Sequence, residues 1–239
     1  MSSSDLTPSV TTSALPRLVI SNGTIEALKW FALACMTGDH VDKYLLHGTI
    51  TPLFDLGRLA MPIFGFVLAY NLARPRAFES GGYQRAMARL AIGGVLATPA
   101  FIALGGLLAG WWPLNIMFAL LTVTATLFLW QRGHRSDRAM AVVIALVGGS
   151  SVEFWWPAIG FCIAAWSYCN RPSWSALITG IGCCAALALI NGNSWALASL
   201  MLIAAASRIR FNVPRARYAF YAYYPTHLTA LWAIKALSS

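Results

Sequence analysis

Long apolar runs separated by short polar loops set the first constraint on this chain. They recur at 26–46, 54–72, 86–109, 113–130, 138–152, 155–169, 174–190, 194–207 and 218–237. A helix needs roughly 20 such residues to cross a bilayer, and in lipid it satisfies its own backbone hydrogen bonds. Charged residues make up only 10% of the 239, and hydrophobic ones 58%. A soluble domain holds about 25% and 45–50% respectively. This excludes a soluble globule, a disordered chain and a coiled coil. The pattern predicts an all-α, polytopic integral membrane bundle of about nine spans. The runs 138–152, 155–169 and 194–207 are short, so eight or ten spans also fit.

The basic residues predict the orientation. Arg74, Arg76, Arg85 and Arg89 flank the second connection, Arg132, Arg135 and Arg138 the fourth, and Arg171 lies in the sixth. Arg208, Arg210, Arg215 and Arg217 fill the eighth, and Arg17 precedes the first span. These are thirteen of the 17 basic residues, and the odd connections HGTITPL, GWW, VEF and NGNS hold none. The positive-inside rule then puts the N-terminus and the even connections in the cytoplasm. Topology accounts for the net charge of +9. The arginines are scattered singly with no stacking platform between them, so no direct nucleic-acid partner is expected. Residues 1–20 read as a disordered polar tail without the apolar core of a cleavable signal, and 21–239 as a single transmembrane domain. Cys35, Cys162, Cys169, Cys183 and Cys184 form no CxxC pair and read as small buried hydrophobes.

Against this background the polar residues inside the runs stand out, because an ionisable group at mid-helix costs roughly 2.5–3.5 kcal/mol on insertion scales. The first run contains Asp39, His40, Asp42 and Lys43, with Tyr44 and His47 on the His40 stripe. Asp39 is spaced to pair with Lys43 at i,i+4; as a neighbour of His40 on one helix it points about 100° away, so it serves His40 through a neighbouring helix or holds Arg58. A carboxylate near an imidazole makes it a general base or proton relay, which marks His40 as the leading functional residue. Asp55 and Arg58 open the second run, Asn115 the fourth, and Glu153 lies in an odd connection. In the last run His227 follows Tyr223 at i−4 and Tyr224 at i−3, with Pro225 between. These groups gather toward the outer half, opposite the arginines. The histidines and acids lie on different stripes with no HxxxH pattern, so no metal is expected. No P-loop, GxGxxG or GxSxG occurs.

The segments LKWFALACMTGDHVD, GRLAMPIFGFVLAYNLAR, PLNIMFA and YAYYPTHL resemble, in order and spacing, the blocks of the TraX family. That family is the inner-membrane acetylase of F-type conjugative pilin, with related TrbP proteins in other transfer systems. The resemblance runs from about residue 26 to the last run; between 120 and 215 it is one of hydropathy only. It implies a multi-pass N-acetyltransferase of the bacterial inner membrane that takes acetyl from acetyl-CoA. The implied acceptor is a pilin subunit, and other conjugation or type IV secretion components are possible partners. The implied catalytic residues are His40, Asp39 and Arg58; the implied substrate-binding residues are Asn115, His227, Tyr224 and Glu153. The inner arginine loops would then hold the coenzyme A phosphates. A proton-coupled transporter using Asp39, His40 and His227, or a non-enzymatic assembly factor, are the competing readings.

Overall fold

The computed structural model describes residues 15–216 and 218–238. The expected polar tail up to residue 14, and Arg217, lie outside the described residues. All regular structure among those described is helical. The order is α1 (Asn22–Leu45), α2 (Thr51–Gly57), α3 (Ala60–Leu72), α4 (Gly82–Ala103), α5 (Ile116–Arg132) and α6 (Arg135–Ser151). There follow α7 (Trp155–Asn170), α8 (Trp174–Ala186), the short α9 (Ala188–Asn191), a 3-10 turn (Trp195–Leu197), α10 (Ala198–Ala206) and α11 (Ala219–Ser238).

Each apolar run corresponds to one helical unit, but the nine expected spans are not all alike. By length and composition three units can cross a membrane: Thr51–Leu72, Gly82–Ala103 and Trp174–Asn191. Ile116–Arg132 and Trp195–Ala206 are apolar but shorter. α1 has the length but carries Glu26, Lys29, Asp39, Asp42 and Lys43, and these charges remove it from that set. Large apolar side chains nevertheless face outward on several helices, including Ile92, Val95 and Leu96 on α4, Val143, Leu146 and Val147 on α6, and Ile178 on α8.

The break between α2 and α3 has a chemical cause. Pro62 has no N–H to offer the Arg58 carbonyl one turn back, and its ring crowds that carbonyl, so the helix yields at Arg58–Leu59. The core forms two clusters. One gathers α3, α7 and the inner faces of α1, α5 and α10 around Ile63, Phe66, Phe161 and Leu127. The other joins α4 to α11 through Leu90, Phe101, Leu228 and Leu231, with Tyr44 of α1 and Met117 of α5.

Hydrogen bonds sort the connections into two ends. At one, Thr24 Oγ1 donates to Ile209 O (2.8 Å) and accepts from Phe211 N, and Glu26 accepts from Ala216 N. Tyr83 OH donates to Leu72 O, and Tyr168 OH to Pro16 O. This end carries the arginine-rich connections. At the other, Leu114 N donates to Ser151 O and Glu153 N to Leu114 O (both 2.9 Å), while Asn193 Nδ2 donates to Asp55 Oδ1 (2.8 Å). The charge separation expected from the loops is present as two ends of one bundle. Cys35, Cys162 and Cys184 are buried and Cys169 and Cys183 half-buried; all five are free thiols.

Candidate functional site

A cavity of about 1040 Å³ lies between the two core clusters and reaches toward both ends. Toward the arginine end it is lined by Lys29, Arg74, Arg76, Arg85, Arg89 and Arg215. Toward the other it is lined by Asp39, His40, Arg58, Tyr44, Tyr224 and Glu153. Between them the wall is apolar, with Leu33, Met36, Leu68 and Leu120. Lys29 and His40 are eleven residues apart on α1, so the cavity runs for at least about 16 Å along the helix axis.

Asp39 is held by Arg58. Arg58 Nη2 lies 2.6 Å from both Asp39 oxygens, and both side chains are largely buried. Arg58 Nε donates to Phe54 O (3.1 Å), and the guanidinium packs 4.2 Å over the Phe54 ring. This arginine is therefore fixed in place rather than reaching out to headgroups. Its Nη1 has no protein partner among the described residues. Gly57 permits the approach, because a Cβ there would overlap the Asp39 side chain. Of the pairings open to Asp39, the structure takes the one with Arg58; Lys43 instead lies 5.1 Å over the Tyr44 ring.

Asp39 is not the partner of His40. His40 Nδ1 lies 2.7 Å from Nε2 of His227, the rings nearly parallel at 7°. His227 Nδ1 lies 3.1 Å from Tyr223 O, and the Tyr223 ring stacks on His227, with centroids 5.1 Å apart. Thr37 Oγ1 anchors the Tyr223 hydroxyl at 2.9 Å. His227, expected to bind substrate, stands behind His40 and outside the cavity lining.

Asn115, also expected to bind substrate, lies away from the cavity. It is the N-cap of α5, its Oδ1 accepting from Met117 N (3.1 Å) and its Nδ2 donating to Gly94 O (3.0 Å) and Thr98 Oγ1 (3.2 Å). Fully buried and absent from the cavity wall, it clamps α5 to α4, with both N–H groups of its amide engaged. Tyr224 and Glu153 do face the cavity. Glu153 sits in the α6–α7 connection, outside the helices, where Phe154 and Trp155 both adopt left-handed backbone (φ 62° and 48°). Two such non-glycine residues in succession are strained, and here they form the turn that carries Glu153. Burial pushes the Glu153 carboxyl up to about 7, opposed by the Lys43 charge, the Ile116 N–H and Arg58.

Sequence reasoning assigns no role to Thr37 or Lys29, and Gly57 enters only as the first residue of the GRLAMPIFGFVLAYNLAR segment. Gly57 stood next to Arg58 in a helix–break–helix stretch, and a glycine beside a buried charge marks a close approach. Thr37 and Lys29 carried no signal that separates them from ordinary helix residues.

The arrangement presents a proton acceptor, a fixed guanidinium with a free N–H edge, and a distant cluster of cations, all on one cavity. No curated protein and no solved structure matches the chain. One protein-family model, described as TraX protein, matches residues 24–235, from the first turn of α1 to the last turns of α11. That span takes in every wall of the cavity, and the chain belongs to the TraX family.

Proposed function

We propose that this chain is a multi-pass acetyltransferase of the bacterial inner membrane, active in conjugation, that moves acetyl from acetyl-CoA to the N-terminal amine of a pilin subunit. The observation that carries the reading is the single cavity with cations at one end and His40 at the other. Coenzyme A is a long molecule with phosphates at one end and its reactive sulfur at the other. Five arginines and Lys29 suit the phosphates, and the apolar middle suits the pantetheine arm. The thioester then lies beside His40 and Arg58. The outward-facing apolar side chains and the three long apolar helices support a membrane setting, and family membership supports the link to conjugation and pilin.

His40 takes a proton from the acceptor amine as its nitrogen attacks the thioester carbonyl. The Arg58 Nη1 edge stabilises the negative charge that develops on the carbonyl oxygen, and Asp39 holds that guanidinium in position. Glu153, Tyr44 and Tyr224 face the acceptor's side of the cavity.

Intact-mass spectrometry of a co-expressed pilin subunit, with and without this chain, tests the proposal. One added acetyl group is expected with the wild type. With His40→Ala, transfer falls by about 10²–10⁴-fold while membrane insertion is kept. Wild-type acetylation by His40→Ala sinks the assignment of His40. Pilin left unmodified by the wild type, with acetyl-CoA not consumed, favours the transporter or assembly-factor reading.

A further inference from the structure

The His40–His227 contact fixes more than position. A backbone carbonyl oxygen can only accept, so the 3.1 Å contact from His227 Nδ1 to Tyr223 O requires the proton of neutral His227 to be on Nδ1. Its Nε2 is then a bare acceptor. The partner 2.7 Å away, His40 Nδ1, must therefore be the donor. A neutral imidazole has one N–H, so His40 Nε2 is left with its lone pair free. Among the described residues it has no protein partner, and His40 lines the cavity.

We infer that His227 is a positioning residue that holds His40 in the Nδ1–H tautomer and makes its cavity-side Nε2 the base. The inference rests on the acetyltransferase reading for its role, but not for its geometry. Tyr223 is part of the same device: its carbonyl sets the His227 tautomer and its ring, tied to Thr37, holds the His227 plane.

The chain of contacts ends at a peptide carbonyl, which cannot take a proton onward. A proton gained at His40 Nε2 can be shared with His227 but has no exit through it. In the transfer, a C–N bond forms between the acceptor amine and the acetyl carbon, and the C–S bond to coenzyme A breaks. The proton lost by the nitrogen goes to His40 Nε2. It leaves by the same atom to the departing thiolate, which becomes the free thiol of coenzyme A. No outside acid is needed.

The test is a nitrogen-15 NMR spectrum of the full chain in lipid bilayers with labelled histidine. The sequence has four histidines, so His47→Gln and His134→Gln leave only the pair in question. His40 is expected as the Nδ1–H tautomer. In His227→Gln the amide oxygen still accepts from His40 Nδ1, so the tautomer and most of the activity persist. In His227→Phe the acceptor is gone; the tautomer preference is lost and kcat falls about 100-fold, with KM for acetyl-CoA unchanged. His40 found as the Nε2–H tautomer in the wild type overturns the inference, as does a His227→Gln spectrum that has lost the Nδ1–H form. A wild-type chain that acetylates nothing would sink the acetyltransferase reading, while the spectra would still decide the tautomer.

Discussion

The two ends of the cavity are built on opposite plans. At the histidine end the central groups are interlocked: Asp39 closes on Arg58, Arg58 also donates to Phe54 O, and His40 pairs with His227. At the arginine end Arg74, Arg76, Arg85, Arg89 and Arg215 make no ion pair among the described residues; Lys29 alone is paired, with Glu26 at 2.7 Å. Spare positive charge on long side chains suits capture of a polyanion that arrives and leaves. Interlocked groups suit a reaction whose atoms must meet within tenths of an ångström. One end offers loose cations, and the other offers two held groups with one edge of each left to the cavity.

The strongest challenge to this contrast is to unlock the histidine end. Arg58→Ala leaves Asp39 largely buried and without its cation, and is expected to cost about 3–5 kcal/mol of stability along with acetyl transfer. Asp39→Ala should cost a similar amount. The double variant should fall well short of the sum, read by unfolding in detergent. Additive losses would mean the two residues do not act as a unit.

A subtler disturbance is Gly57→Ala, whose added methyl overlaps the Asp39 side chain. It is expected to cost about 1–3 kcal/mol and to lower kcat by displacing the ion pair. An unchanged kcat would show that the close approach of α2 to α1 is not needed.

The arginine end should respond differently. Arg74→Gln, Arg89→Gln and Arg215→Gln together are expected to raise KM for acetyl-CoA about tenfold, with kcat held. Wild-type KM should rise with salt, and that of the triple variant much less. A fall in kcat instead would erase the distinction between the ends.

The smallest effect concerns Glu153. Its carboxyl holds a proton up to about 7 in the folded chain, against an ordinary value of 4.5. The folded form thus binds this proton more tightly than the unfolded one. Its contribution to stability is full below about 4.5, declines as pH rises toward 7, and is level above that. Glu153→Gln should flatten that decline in Tm, measured from pH 4.5 to 7. An identical decline in the variant would place its source elsewhere.

Helix positions were legible in the sequence because lipid-length apolar runs and their breaks are local features. His40, Asp39 and Arg58 were legible for the same reason: a charge inside an apolar run is conspicuous wherever it points. Their partners were not. His40 and His227 are 187 positions apart, and no local pattern announces that two helices will bring their imidazoles together. The capping role of Asn115 was not legible either, because an asparagine ahead of an apolar run looks the same whether it greets a substrate or caps a helix. The break at Arg58–Leu59 could have been read from Pro62, four residues on, but an unbroken apolar run concealed it.

Because the dyad draws one imidazole from the first helix and one from the last, it has an order of birth. A ribosome adding about 5–20 residues per second makes His40 roughly 10–40 s before His227. Throughout that interval His40 lacks the imidazole it pairs with. The last helix is thus a completion signal: a chain that stalls or is clipped before α11 has its arginines and the Asp39–Arg58 pair in sequence, but lacks both half of the α4–α11 core and the partner proposed to fix the His40 tautomer.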